Sequence, residues 1–427
     1  MRSSSQAPRP SRRGFIVAAA GGLATAAVAG TGAADPTGPP AIPAAPADTE
    51  PFWGAHQGGI LTPQQSHCYF AAFDLSATKR DEVVSLLQRW TAASARLAGG
   101  LTAAALELDP ARAASDSGEA LGLRPERLTL TFGFGPGLFE RDGRDRYGLA
   151  GRRPAALAEL PRFNGDQLQT ERCGGDLCVQ ACADDPQVAF HAVRQLARLA
   201  YGAAAIRWAQ SGFLSEPGKE TPRNLMGFKD GTGNPDIKDA KAVARLIWVG
   251  EEGPSWMRGG SYLIARRIRI ALEHWDRMKL AFQEQTIGRH KYSGAPLGLK
   301  DEYAPLDLGA TDKDGNPIIP ENAHVRLAAA ATNDGAQFLR RGYSYNDGVN
   351  FTAERWPPWR QGMEYDAGLF FLAYQRDPRT GFIKIFERMS KLDMLNQFVT
   401  HTGSGMFACP GGAAEGEFIG QSLFQST

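Results

Sequence analysis

The chain has 427 residues, 47 Lys+Arg against 46 Asp+Glu, 43% hydrophobic and 22% charged residues. That length suits two or three domains or one large one, and the composition excludes intrinsic disorder, a collagen-like repeat or a multi-span membrane protein as the dominant class. A net charge of +1 gives no reason to expect nucleic acid or an anionic membrane as the main partner.

Residues 1–34 carry Arg2, Arg9, Arg12 and Arg13 and no acid before Asp35. Ser11-Arg12-Arg13-Gly14-Phe15-Ile16 is a twin-arginine pattern, followed by a weakly apolar run from Phe15 to Ala29. The small-residue cleavage sites Ala27-Val28-Ala29 and Gly32-Ala33-Ala34 come next. This reads as a bacterial export signal over 1–34. The alternative is a membrane anchor, but the run is shorter than the roughly 20 residues a span needs. Twin-arginine export carries folded proteins, often with a cofactor inserted. The destination is then the periplasm, the cell envelope or the extracellular space, and the export machinery is a partner. Residues 35–54 are a Pro/Ala-rich linker, with six prolines between positions 35 and 51.

An apolar strand is predicted over His67–Leu75. A helix near Thr78–Leu97 follows, with Thr78 and Asp81 as a capping box and Val83, Leu87 and Trp90 on one face. Leu177–Ala183 is a second strand. Asp185-Pro186 then opens a helix with Val188, Ala192, Leu196 and Leu199 on one face. The five cysteines are Cys68, Cys173, Cys178, Cys182 and Cys409, an odd number that argues against a full disulfide framework. Cys173, Cys178 and Cys182 do not make a zinc site. Four residues along a strand span about 13 Å, so Cys178 and Cys182 share a face without reaching one ion.

Ser211–Arg223, with Gly212, Pro217, Gly218 and Pro222, is the predicted boundary between halves 55–215 and 216–427. The glycine-rich stretch Asn224-Leu-Met-Gly227-Phe228-Lys229-Asp230-Gly231-Thr232-Gly233-Asn234-Pro235 comes next. Glycine lets backbone approach a ligand closely, so Asp230 is presented without crowding. A solvent turn explains the same residues. A phosphate loop lacks its Gly-Lys-Ser/Thr, and an aspartic-protease pair lacks Asp-Thr/Ser-Gly twice.

A strand over Tyr262–Ile270 precedes a helix near Glu273–Gln285. A strand over Gly368–Tyr374 precedes Asp377-Pro378 and a helix near Thr380–Lys391. Cys68 to Cys178 is 110 residues and Tyr262 to Phe370 is 108. The equal spacing predicts a duplicated α+β fold, two ferredoxin-like halves, each an antiparallel sheet with helices on one face. Chance likeness of two strand–helix pairs is the competing explanation. Of seven histidines, none shows zinc-enzyme spacing. His324, in Pro320-Glu-Asn-Ala-His324-Val-Arg326, stands out only through the nearby Leu339-Arg340-Arg341-Gly342-Tyr343-Ser344-Tyr345.

Taken in order, these pieces resemble the dye-decolourising peroxidases, and within them the exported deferrochelatase/peroxidase-like subgroup. The matching marks are Gly227-Phe-Lys-Asp230-Gly231, Gly259-Gly260-Ser-Tyr, Ile287-Gly288-Arg289-His-Lys291 with Gly294-Ala-Pro-Leu-Gly298, Leu339 to Tyr345, Asp366-x-Gly368-Leu-Phe-Phe and Phe407-Ala-Cys-Pro-Gly-Gly412. The likeness covers about residues 55–427 and agrees with paired ferredoxin-like halves.

The resemblance implies haem b (iron protoporphyrin IX) as cofactor. His324 is then the iron ligand, Asp230 the distal acid–base group and Arg340 the distal cation that also faces the haem. Gly231, Thr232 and Gly233 lie along the haem edge, Arg289 pairs with a propionate, and Asp366 accepts the second His324 N–H. One departure is Ala329-Ala330-Ala331, where relatives often carry Asn-Pro-Arg or Ser-Pro, which leaves backbone contacts alone.

The implied activity is hydrogen-peroxide-driven one-electron oxidation of bulky phenolic or dye-like aromatic reductants. Tyr343, Tyr345, Trp356 and Trp359 are candidate electron relays, with core packing the competing role. A deferrochelatase-type protein that takes iron from haem needs the same pocket and is the alternative. A non-haem protein using the Asp230 loop for another ligand is a third. No nucleic acid and no stable membrane span are expected, and a homo-oligomer is compatible with this function.

Overall fold

The computed structural model describes residues 48–215, 220–353 and 361–425. The export pattern, its cleavage sites, most of the linker, Pro217 and Gly218 of the predicted boundary, and Trp356 and Trp359 lie outside the described residues. Among the described residues, no helix is long and apolar enough to cross a membrane.

Nine strands are present there: β1 (His67–Leu75), β2 (Thr129–Phe134), β3 (Leu177–Ala183), β4 (Ala204–Phe213), β5 (Ser261–Ile270), β6 (Leu339–Arg340), β7 (Tyr343–Ala353), β8 (Gln361–Gln375) and β9 (Val399–Cys409). All pair antiparallel, in the order β5-β9-β2-β3-β1-β4-β7-β8-β6, and β5 also pairs with β8. Eight strands therefore form one barrel-like sheet, with β6 added on β8.

The chain is α+β, as its strand–helix alternation predicts, but the two halves are not free-standing sheets. The β2 edge meets β9 at Phe134 and Ala408, and the β4 edge meets β7 at Phe213 and Ser344. Each junction pairs backbone groups that an open edge would leave exposed. Within the ring, β4-β1-β3-β2 and β9-β5-β8-β7 repeat one order.

Period-2 alternation divides the apolar side chains into two cores. Cys68, Phe70 and Ala72 of β1, with Tyr343, Tyr345, Phe370, Leu372 and Phe407, fill one of them, at the centre of the barrel. Ala71, Phe73 and Leu75 face the other way, under the helices Arg80–Ala98 and Pro186–Leu199. There Trp90 packs edge-on to Phe73 with ring centroids 5.0 Å apart, and its Nε1 donates to the Leu196 carbonyl at 2.8 Å.

The first helix begins later than its sequence suggests, because Glu82 rather than Asp81 completes the cap. The Glu82 carboxylate accepts from the Thr78 and Lys79 backbone N–H groups. The helix expected over Glu273–Gln285 is two pieces, Leu272–Trp275 and Leu280–Ile287. Gln283 Nε2 donates to the carbonyls of Trp275 (3.0 Å) and Met278 (3.3 Å), replacing the backbone bonds a continuous helix would make. Phe382–Leu392 buries Phe382, Ile385 and Met389 at helical spacing, and Ile385 and Met389 cluster with Leu327 of the short helix His324–Ala328.

Candidate active site

Three segments distant in sequence carry the candidate residues: the glycine-rich loop around Asp230 and the β6 strand with Arg340, which meet, and the helix that begins at His324. The loop leaves β4 and turns back on itself. The Asn224 N–H donates to the Phe228 carbonyl (3.0 Å) and the Asp230 N–H to the Pro222 carbonyl (2.8 Å). Gly227 and Gly231 have φ of +84° and +123°, so both turns use glycine where other residues would be strained. Met226 and Phe228 anchor the loop in a small core with Trp275 and Phe398, and Trp275 Nε1 donates to the Met226 carbonyl at 3.2 Å.

Asp230 accepts from Arg340 Nη1 at 3.0 Å, and Asn224 Nδ2 stands 3.4 Å from its other oxygen. Both side chains are about a quarter exposed, 26% and 28%. They line a cavity with Pro222, Asn224, Gly231 and Asn234. Asn234 fixes the arginine from the loop side. Its Nδ2 donates to the Arg340 carbonyl (2.8 Å) and its Oδ1 accepts the Arg340 N–H (3.1 Å).

Glu302 ties the loop from behind. It accepts from Lys229 Nζ, from the Thr221 hydroxyl and from Thr232 Oγ1 at 3.0 Å. Burial would raise its pKa, but these donors outweigh it and lower it. Arg289 Nη1 donates to the carbonyls of Gly294 (2.7 Å) and Glu302 (2.9 Å). Burial and the nearby Arg340 charge depress its pKa, against the pull of Glu302. Arg289 therefore sits beside the site as a cation whose carboxylate neighbour does not fully offset its desolvation.

His324 Nδ1 lies 2.7 Å from Asp393 Oδ2. With that nitrogen engaged, the Nε2 lone pair is the one left to bind a metal. Asp393 is buried and its other oxygen accepts the Leu395 N–H at 2.8 Å, so the carboxylate cannot swing away. Burial favours the neutral imidazole, but the Asp393 carboxylate prevails and raises the His324 pKa above its ordinary value. The charges of Arg340 and Asp230 act on the His324 ring as well, with smaller effect than Asp393.

The structure corrects the expected role of Asp366. That carboxylate accepts from Arg267 Nη2 at 2.8 Å and from Asn350 Nδ2 at 3.2 Å. A buried acid on β8 is compensated by the arginine on β5, so it is not available to His324. Sequence reasoning missed Asp393, Asn234 and Glu302. The partner of His324 is 69 positions away with no spacing rule to mark it, and Asn234 looks like an ordinary turn residue before Pro235.

Ala329-Ala330-Ala331 follows directly on the His324 helix. Asn333 Nδ2 donates to the carbonyls of Leu327 (2.7 Å) and Ala329 (2.8 Å) and closes the end of the His324 helix. Tyr343 and Tyr345 are fully buried in the barrel core.

Two family models match the chain: Dyp-type peroxidase, N-terminal, over residues 57–214, and Dyp-type peroxidase, C-terminal, over residues 221–414. The chain is 38% identical over 449 residues to a dye-decolorizing peroxidase of Thermobifida fusca, covering 97% of each. It is 36% identical over 389 residues to a deferrochelatase of Escherichia coli K12, covering 88% of each. Among solved structures, an oxyferrous complex of DtpA from Streptomyces lividans superposes with a TM-score of 0.78 at 42% identity, covering 88% of this chain and 98% of that one. A DyP-type peroxidase from Cellulomonas bogoriensis gives 0.77 at 39% identity, with 88% and 98% covered.

Proposed function

The chain belongs to the Dyp-type peroxidase family, and from that premise we propose that it is a haem b peroxidase in which His324 holds the iron and Asp230 and Arg340 act on hydrogen peroxide. Two devices carry this reading. One is an imidazole with Nδ1 held by a buried carboxylate, and the other is an acid–arginine pair at 3.0 Å.

The residues present fit haem. His324 Nε2 is free to bind iron, and the Asp393 contact makes the ring a stronger donor. Gly231 and Gly233 leave room for a flat ring edge, with Thr232 between them held back by Glu302. Arg289 supplies a cation for a propionate. When bound, haem supplies the iron on which the peroxide O–O bond is broken.

The chain's own groups handle the proton and the charge. Asp230 keeps one oxygen on Arg340 and offers the other, beside Asn224, to a peroxide proton. It takes that proton from one oxygen and returns it to the leaving one. Arg340, held at its backbone by Asn234, meets the negative charge as it develops.

The reductants are bulky phenolic or dye-like aromatics that donate single electrons. Tyr343 and Tyr345 serve packing in the barrel core. The matching strand orders of the two sequence halves, and the separate matches over residues 57–214 and 221–414, support a duplicated ferredoxin-like fold divided at 55–215 and 216–427. Residues 1–34 are a twin-arginine signal and 35–54 a linker, which sends the protein to the cell envelope or beyond.

Deferrochelatase chemistry is the second reading, favoured by the 36% identity to proteins of that name. Purified protein supplied with peroxide and an anthraquinone dye should turn the dye over without releasing iron. Iron release from haem without dye turnover would favour the second reading instead.

A further inference from the structure

Cys68 on β1 and Cys182 on β3 are direct antiparallel partners, so their side chains point to the same face. Both belong to the barrel core and are almost wholly buried, at 2% and 0% exposure. Opposed residues in an antiparallel pair have Cα atoms about 4.5 or about 5.5 Å apart, and both values fall in the range a disulfide spans. The register pairs the two residues directly, so each thiol is the other's cross-strand neighbour.

Their surroundings are not those of ordinary core cysteines. The Tyr343 hydroxyl lies 3.4 Å from Cys182 Sγ and donates to it. Arg341 stands beside the same sulfur with its guanidinium buried. Its hydrogen bonds go to neutral oxygens, the Thr62 carbonyl and the Gln65 side chain (2.8 Å), and its Nε has no partner. A buried cation with neutral partners favours an anion nearby, and a Cys182 thiolate is placed to be that anion. Burial alone would raise the Cys182 pKa. The Cys68 thiol, the Arg341 charge and the Tyr343 hydroxyl reverse this and lower it, while Cys68 is raised.

The core holds its own control. Cys178 and Cys409 also have neighbouring sulfurs, on either side of the space above Gly133. No arginine shifts either of them, and burial pushes both thiols up.

We propose that Cys68 and Cys182 are a dithiol that hydrogen peroxide converts to a disulfide between β1 and β3, with Cys182 the sulfur oxidised first and Cys68 the resolving thiol. The Cys182 thiolate attacks one peroxide oxygen. The O–O bond breaks, and hydroxide leaves and takes a proton to become water. The resulting sulfenic acid is attacked by the Cys68 sulfur. The S–S bond forms, and the OH group leaves as water with the Cys68 proton. Two thiols lose two electrons and one peroxide becomes two waters. The pair is thus a second place where peroxide is consumed, separate from the cavity of Asp230 and Arg340.

The test is a thiol count on the full chain, purified reduced, then treated with peroxide in the absence of dye, denatured and alkylated with iodoacetamide. Reduced protein should take five labels. Treated protein should take three, yield a Cys68–Cys182 linked peptide, and recover five labels after dithiothreitol. C409S should still lose two labels. C68S should leave Cys182 oxidised but unlinked. Five labels after treatment, a link between Cys178 and Cys409, or an unoxidised Cys182 in C68S would each overturn the proposal. The count reads thiols and not dye turnover, so it fails or succeeds apart from the peroxidase assignment.

Discussion

Asp230 and Arg340 form one ion pair, but the roles proposed for them differ, so their losses should look different. Asp230→Asn keeps shape and removes the base. Positioned acid–base catalysis contributes roughly 10²–10⁴-fold, so the spectral change on mixing with peroxide, followed by stopped flow, should slow by about that range with haem content unchanged. Arg340→Leu leaves the base and removes the charge that meets the departing oxygen, and should slow the same step. Wild-type rates in both variants would contradict the distal roles.

His324 gives a pH-dependent expectation at the same scale. Its folded-state pKa is raised by Asp393. The stabilisation from that pair in the haem-free protein is therefore fully present below about 6.5, the unfolded value, and is lost as pH rises through the folded value. Iron needs the neutral ring, so haem uptake by the haem-free protein should strengthen as pH climbs through that window. Asp393→Asn removes the raising charge and should move the onset to lower pH in a spectrophotometric haem titration. An unmoved onset would show that Asp393 does not control the ring. Asp230, Arg340 and His324 became candidates through the resemblance that the ordered motifs carry, not from any one motif alone. Asp393 did not, because its contact with His324 exists only once the helix Phe382–Leu392 docks.

At the level of elements, β1 and β3 are legible to the residue, since each is an apolar run bounded by polar residues or turns. The strand near Gly368–Tyr374 extends to Gln361–Gln375 because β7 pairs with its polar beginning, out to Ala353 opposite Gln361. The broken helix at 272–287 was not legible, as the break depends on Gln283 finding two carbonyls. Trp90 is the element-scale test. It joins both outer helices to β1 through Phe73 and the Leu196 carbonyl. Trp90→Ala should cost about 3–5 kcal/mol, seen as a lower midpoint in urea with the site residues unchanged. A midpoint equal to wild type would mean the helix layer is not what holds the N-terminal strands in place.

Across the whole molecule, the sequence repeat foretold two similar strand–helix sets but not their closure into one barrel. Closure rests on single bridges at Phe134–Ala408 and Phe213–Ser344, which leave no mark in spacing or composition. The twin-arginine pattern at Ser11–Ile16 makes a separate prediction. Replacing Arg12 and Arg13 with Lys should leave full-length protein in the cytoplasm, and cell fractionation that still finds it exported would sink the twin-arginine assignment. Haem held by His324 is the premise of every role proposed for the site. Its most direct test is the absorption spectrum of the purified protein and of His324→Ala, each reconstituted with haem. A Soret band in the wild type that is lost or shifted in the variant is the predicted result. No Soret band in the wild type, or the same band in both, would contradict it.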